Sequence, residues 1–226
     1  METTVGTFRV YRVLDAVLHL NLFEVASERL YTVYQTGYDE SLQSTLDEVT
    51  TGDLVEATVE GDPENADEPW RVTAVDRDAD RSVTVDFAAG VDYPNVARET
   101  WSQALAEAGD DPVRPTGRAL GTEAGDTAAG EVWVQPRDAV PDSSLALTVL
   151  AGRLPLEPWL TDLPYADAPT AELLVVDSDG PETESHAEPY GVFLFFTETG
   201  RALADRYRER WDLPRGADSR PDVDPY

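Results

Sequence analysis

Cysteine, lysine and isoleucine do not occur in this sequence, and histidine occurs only twice. Without cysteine there are no disulfides, no thiolate zinc sites and no thiol nucleophile. A metal site would have to be assembled from His19, His186 and carboxylates, and none is assigned. Long apolar runs are missing as well. The longest, YGVFLFF (Tyr190–Phe196), falls far short of the roughly 20 residues that cross a bilayer as a helix. Met1–Gly6 carries an acid and no arginine, and no uninterrupted apolar run follows, the wrong pattern for a secretory signal. The expectation is a cytoplasmic chain that engages no membrane. Catalytic signatures are equally absent: there is no G-x-S-x-G elbow, P-loop, dinucleotide fingerprint or kinase motif. GTEAGDTAAG (Gly121–Gly130) is glycine-rich, but no strong strand precedes it. No catalytic residue and no cofactor are therefore assigned.

What is present is acid. Forty-five aspartates and glutamates face seventeen arginines, a formal net charge of −28. Such a charge opposes compaction by self-repulsion. An apolar content of 41 % and five tryptophans nevertheless argue for a folded chain over a disordered one. At molar salt the Debye length is about 3 Å, and the repulsion is largely screened. The missing lysine and isoleucine and the scarcity of asparagine, all AT-rich in codon, fit a GC-rich genome. Together these features resemble the cytoplasmic proteins of haloarchaea, and the chain is read as one of an uncharacterised haloarchaeal acidic family. That resemblance implies a habitat and no activity.

The acids are unevenly spread. Residues 1–36 and 193–226 are each within one charge of neutral, while residues 37–192 hold 34 acids against 8 arginines. DRDADR (Asp76–Arg81) places aspartate at alternate positions, as a calcium loop begins. Such a loop needs glycine at its sixth position and glutamate at its twelfth. Here those places hold Arg81 and Phe87, so the stretch reads as a solvated hairpin.

Alternation over Thr7–Val17, Leu18–Ala26 and Arg29–Thr36 predicts three strands. Leu42, Leu46 and Val49 then predict a short helix, and Gly52–Gly61, Trp70–Val75 and Ser82–Phe87 predict further strands, the last two as a hairpin. This order resembles an OB-like small antiparallel β-barrel over residues 1–90. Over 91–226 the pattern predicts an α+β region. Ala97, Trp101, Ala104 and Ala108 mark a helix closed by Gly109. Residues 110–130 read as a flexible loop, and 131–136, 144–152 and 171–178 as strands separated by an irregular proline-rich stretch. The buried strand GVFLFF leads, through a cap at Thr197 or Thr199, into the helix GRALADRYRERW. Leu203, Tyr207 and Trp211 of that helix face the sheet. Residues 216–226 read as a disordered tail. The fold expected is α+β: the small barrel, then a mixed sheet with a C-terminal helix.

Two clusters stand out as binding candidates. Arg9, Tyr11, Arg12, Tyr31 and Tyr34 lie on the early strands, where an OB-like barrel stacks single-stranded bases on aromatic rings. Arg201, Arg206, Arg208 and Arg210 lie on the last helix, a net-positive island suited to a protein partner. FFTETGRALADRYRERW is similar to the final wing strand and helix of archaeal winged-helix regulators, although no helix-turn-helix pair is visible before it. The leading expectation is a non-catalytic interaction or accessory protein. The alternatives are a single-strand nucleic-acid binder, and an enzyme using carboxylates with His19 or His186.

Overall fold

The structure, a computed structural model, describes residues 1–12, 18–65, 68–121, 128–136, 145–154, 156–166, 168–177 and 189–216. They form two compact units. The first takes Met1–Val83 together with Val149–Glu157; the second takes Thr84–Thr148 and resumes at Pro158. The fold is α+β, with two five-stranded sheets and a C-terminal helix. No helix among the described residues is long and apolar enough to cross a membrane.

The first unit holds β1 (Glu2–Arg12), β2 (His19–Glu24), β3 (Arg29–Tyr34), α1 (Glu40–Glu48), β4 (Leu54–Gly61) and β5 (Arg71–Asp78). Its sheet is antiparallel throughout, in the order β3-β2-β1-β4-β5. The long β1 serves two neighbours, pairing with β4 over Glu2–Arg9 and with β2 over Phe8–Arg12. Alternation places Phe8, Val10, Leu20, Leu22 and Val33 on one face, where they meet Leu46 of α1 and Val49 just beyond it. α1 starts where it does because the Asp39 carboxylate accepts the Leu42 N–H at 3.0 Å. Burying one leucine such as Leu46 contributes about 1.5–3 kcal/mol.

The expected barrel does not close. Its edge strands approach each other at a single parallel bridge, Val33 with Trp70. There Tyr34 N–H donates to the Trp70 carbonyl (3.0 Å) and Trp70 N–H to that of Thr32 (2.8 Å). No ladder grows from this bridge, so β3 and β5 remain edges. Alternation reports half-burial, and it carries no information on whether two edges pair. The expected hairpin is also revised. Thr84–Ala89 leaves its neighbour and joins the second sheet, in parallel with a strand almost ninety residues later. Its consecutive buried residues Asp86, Phe87 and Ala88 show why: both of its faces are covered.

The second unit holds β6 (Thr84–Ala89), α2 (Asn95–Ala108), β7 (Thr116–Leu120), β8 (Gly130–Gln135), β9 (Glu172–Asp177), β10 (Gly191–Phe196) and α5 (Arg201–Trp211). The short helices α3 (Leu145–Leu150) and α4 (Glu157–Thr161) flank the excursion of the chain into the first unit. The sheet is mixed, in the order β6-β9-β10-β8-β7, with β6 and β9 parallel and the other pairs antiparallel. One face packs Val132, Val134, Leu174, Leu194 and Phe196 against Trp101 of α2 and Ala204 of α5. Leu203, Tyr207 and Trp211 pack against the same core. α2 ends at Gly109, whose φ of 58° suits glycine.

Three local expectations change. The stretch read as a loop over 110–130 contains β7, while residues 122–127 lie outside the described residues. α3 replaces a strand, since SLALTVL is apolar on every face and periodicity alone does not separate a buried strand from a buried helix. The proline-rich stretch contains α4. Of the expected tail only Gly216 is described; 217–226 lie outside the described residues.

Thr197 precedes a single 3-10 turn, Glu198–Gly200, that leads into α5. Its hydroxyl donates to the Ala129 carbonyl (3.1 Å) and makes no cap. Gly200 then passes so close to Ala129 that a Cβ would stand 1.8 Å from that carbonyl oxygen. Gly200→Ala is therefore expected to destabilise the protein by about 1–3 kcal/mol, although alanine favours helix, because backbone must move. Denaturant unfolding at fixed potassium chloride measures it.

Candidate functional site

The C-terminal helix carries its arginines in two directions. Arg208 is 3 % exposed and points into the second unit. Its Nε and Nη2 donate to Asp86 Oδ2 (2.8 and 2.6 Å), and its Nη1 donates to Glu172 Oε2 (2.5 Å). Asp86 and Glu172 lie on the paired strands β6 and β9 and are wholly buried. Asp212 adopts a left-handed conformation that ends α5 and turns the chain back. Arg215 then reaches Glu172 Oε1 (2.5 Å), and the Gly216 N–H reaches Asp86 Oδ1 (2.6 Å). Asp205 joins through Arg215 and Arg208, and Arg201 approaches Glu172 at 3.4 Å while also pairing with Glu198. Four carboxylates, Asp86, Glu172, Asp205 and Glu198, thus share three guanidinium groups. Burial pushes the Asp86 carboxyl up, against the Arg208 hydrogen bonds that pull it down. The Arg215 hydrogen bond holds Asp205 below the ordinary carboxylate range. Of the four sequence candidates on α5, Arg206 and Arg210 are exposed, Arg201 is half-buried and Arg208 is buried.

The early-strand candidates also divide by face. Tyr31 belongs to the core face, edge-on to Phe8 (5.7 Å) and Trp70 (4.9 Å). Arg9 and Tyr11 lie on the opposite face, where Leu156 and Glu157 of the same unit cover them. Arg9 makes a bidentate pair with Glu157 (3.1 and 3.0 Å), and its Nη1 donates to the carbonyls of Gly52 and Arg81. Tyr11 is held against Leu156, and burial and then the Glu157 charge push its phenol pKa up. Asn21 Nδ2 donates to the Leu150 carbonyl (3.4 Å), and Gly152 lies against Leu30. Arg12 is half-buried, its N–H on Thr51 Oγ1 and its Nη1 on the Val49 carbonyl. Tyr34 is half-buried, with His19 edge-on to its ring at 5.7 Å. Arginines of the chain already lie over these rings: Arg29 over Tyr31 (4.8 Å) and Trp70 (5.4 Å), Arg71 over Tyr38 (4.9 Å) and Tyr34 (5.6 Å). The fold does not gather the five candidates into one open patch.

A third arrangement had no counterpart in the sequence reading. Glu131 and Trp133, two apart on β8, share the sheet face opposite α5. Glu131 is wholly buried and accepts hydrogen bonds from Trp133 Nε1 (2.8 Å) and from the Tyr165 backbone N–H. Trp133 stands edge-on to Trp159 of α4 (5.2 Å) and tilted against Tyr165 (6.2 Å). Behind them Trp159 stacks on Phe195 (6.1 Å). Gly117 of β7 leaves the space the Trp133 indole fills, since a Cβ there would come within 2.3 Å of it. Trp133 and Trp159 are half-buried, and Tyr165 is 52 % exposed. The i, i+2 spacing of Glu131 and Trp133 was legible as a shared strand face; the arrival of Trp159 and Tyr165 from the proline-rich stretch was not.

Among the described residues no group of three or more His, Asp or Glu is placed to hold a metal ion. His186 lies outside the described residues. An open hollow along α1 is lined by Asp39, Glu40, Ser44 and Glu48, an exposed polar helix face.

The chain belongs to a family of unknown function, DUF6663. The family pattern matches residues 1–216. Neither a curated protein nor a solved structure matches the chain.

The Asp86–Glu172–Arg208 geometry generates a test. Removing Arg208 leaves two buried carboxylates short of their shared cation, so Arg208→Met is expected to cost about 3–5 kcal/mol. Arg210→Ser, at the exposed face, is expected to stay within about 0.5 kcal/mol of the parent. Urea unfolding of both variants at one salt concentration measures the difference.

Proposed function

We propose that this chain is a non-catalytic interaction or accessory protein of a salt-adapted cytoplasm. The observation that carries the reading is the half-exposed group Trp133, Trp159 and Tyr165 on a chain whose formal net charge is −28. Tryptophan and tyrosine supply large contact area at small conformational cost, and they dominate the energetics of protein interfaces. The buried acids support the same reading, because each described one is occupied inside the fold. Asp86 and Glu172 meet Arg208, Glu157 meets Arg9, Asp53 meets Arg77 at 2.7 Å, and Glu131 meets Trp133 and the Tyr165 backbone. A partner at the C-terminal helix would meet the outward Arg206 and Arg210, with Arg208 turned away.

Affinity purification of the full chain at about molar potassium chloride, where long-range charge effects are screened, tests the reading. Tyr165→Ala is expected to deplete a partner that wild type retains, with unfolding unchanged. Arg206→Ser with Arg210→Ser is expected to deplete a partner only if the helix is a second seat. An identical set of retained molecules for all three forms would overturn the interaction reading.

A second reading, single-stranded nucleic acid on the first sheet, is favoured by one feature. A five-stranded antiparallel sheet whose edges approach each other at Val33–Trp70 has the outline of a partly open OB-like barrel. Leu150 and Glu157 lie against the β1–β2 face, and His19, Thr32 and Tyr34 form its remaining margin, with Arg71 over the Tyr34 ring. If an oligonucleotide binds there, Tyr34→Ala is expected to weaken it roughly tenfold in fluorescence anisotropy at about molar salt. Binding that ignores Tyr34, or no binding at all, would remove this reading.

A further inference from the structure

We propose that the aromatic group above Glu131 is a docking site for the guanidinium of an arginine on a partner protein. The proposal deepens the interaction reading and rests on it. Five acidic residues are buried among the described residues: Asp53, Asp86, Glu131, Glu157 and Glu172. Four of them face an arginine of this chain at 3.0 Å or less. Glu131 does not. Among the described residues its two oxygens accept one hydrogen bond each, from an indole N–H and from a backbone N–H, and no cation is paired with it. A buried carboxylate without a nearby cation is costly, and a cation brought close to it is attracted with little screening.

The rings beside Glu131 show the same incompleteness. In the first unit Arg29 lies over the rings of Tyr31 and Trp70, and Arg71 over those of Tyr34 and Tyr38. Among the described residues no arginine lies over Trp133, Trp159 or Tyr165, the aromatic group that stands directly on a buried acid. An arriving guanidinium stacked on the outer face of Trp133 and Tyr165 would complete both requirements. The Trp133 indole, whose Nε1 lies 2.8 Å from the carboxylate, separates it from Glu131. Chemistry favours arginine over lysine at this place. A guanidinium is planar and weakly hydrated and keeps its stacking contact, whereas an ammonium is a strongly hydrated point charge. In concentrated electrolyte the contact that excludes water persists when distant attraction is screened. The net charge of −28 gives a cationic segment the complementary partner.

The probe is Nα-acetyl-L-argininamide, titrated into the full-length protein at constant, about molar, potassium chloride. The readout is the Trp133 indole N–H resonance in a nitrogen-15 spectrum, assigned with Trp133→Phe. A saturable shift is expected for the arginine probe, and a markedly smaller one for Nα-acetyl-L-lysinamide. Tyr165→Ala, at an exposed position, is expected to weaken the arginine probe roughly two- to fivefold. Glu131→Gln is expected to abolish the preference for arginine over a neutral citrulline analogue, provided that its spectrum retains the parent's dispersion. No shift, an equal response to lysine, or a shift produced by uridine or adenosine in place of the arginine probe would overturn the proposal. If Tyr165→Ala loses a partner in the host while argininamide leaves the indole unmoved, the interaction reading survives and the guanidinium assignment falls. If argininamide binds while every host partner is retained by Tyr165→Ala, the site stands as a small-cation site and the partner reading falls.

Discussion

Arg208 links the last helix to the two parallel strands of the second sheet through one fully formed guanidinium. Its three nitrogens are divided between Asp86 on β6 and Glu172 on β9, strands that enter the sheet from distant parts of the chain. An acid buried on either strand alone would be strongly unfavourable, so the strands, the helix and the turn at Asp212 depend on one another. Arg215 and the Gly216 N–H complete the set and fix where the chain goes after α5. The same rule recurs in the first unit, where Arg9 and Glu157 pair beneath the surface. In a protein with forty-five acids and seventeen arginines, an arginine accompanies four of the five acids buried among the described residues.

Burial of charge also explains what could be read in advance. Periodicity and caps located β1 to β5, α1, α2, β8 and α5, and short continuous apolar runs located β9 and β10, because both signals depend only on neighbours in sequence. The partner of β6 and the open edges of the first sheet depend on contacts far apart in the chain, which periodicity does not report. Arg208 was legible as a helical cation, yet its direction was not: Leu203, Tyr207 and Trp211 define the buried stripe, and Arg208 lies beside Tyr207 at its border. Arg9 and Tyr11 show the same ambiguity on a strand. The sequence reading grouped them with Arg12, Tyr31 and Tyr34, whereas they lie on the face opposite Phe8 and Val10, and the arrival of Leu156 and Glu157 over that face came from outside the pattern.

The aromatic residues serve different purposes in the two units. Tyr31 and Trp70 lie within the first core, and two arginines complete the surface there. Trp133, Trp159 and Tyr165 stand on a sheet face where the buried Glu131 carboxylate is held by neutral donors. Composition alone gives both groups the same appearance, as aromatics in an acidic chain. Their difference arises from the placement of arginine, of which the sequence has few to distribute.

The excursion of Val149–Glu157 bears on how this protein is divided in the laboratory. The first unit is discontinuous, and a fragment stopped near residue 90 would retain the Arg9 guanidinium while discarding the carboxylate that neutralises it. Tyr11 and Asn21 would lose their cover in the same cut, presenting to solvent a surface that the intact polypeptide keeps shut. An affinity observed with such a fragment would belong to the truncation and not to the native molecule.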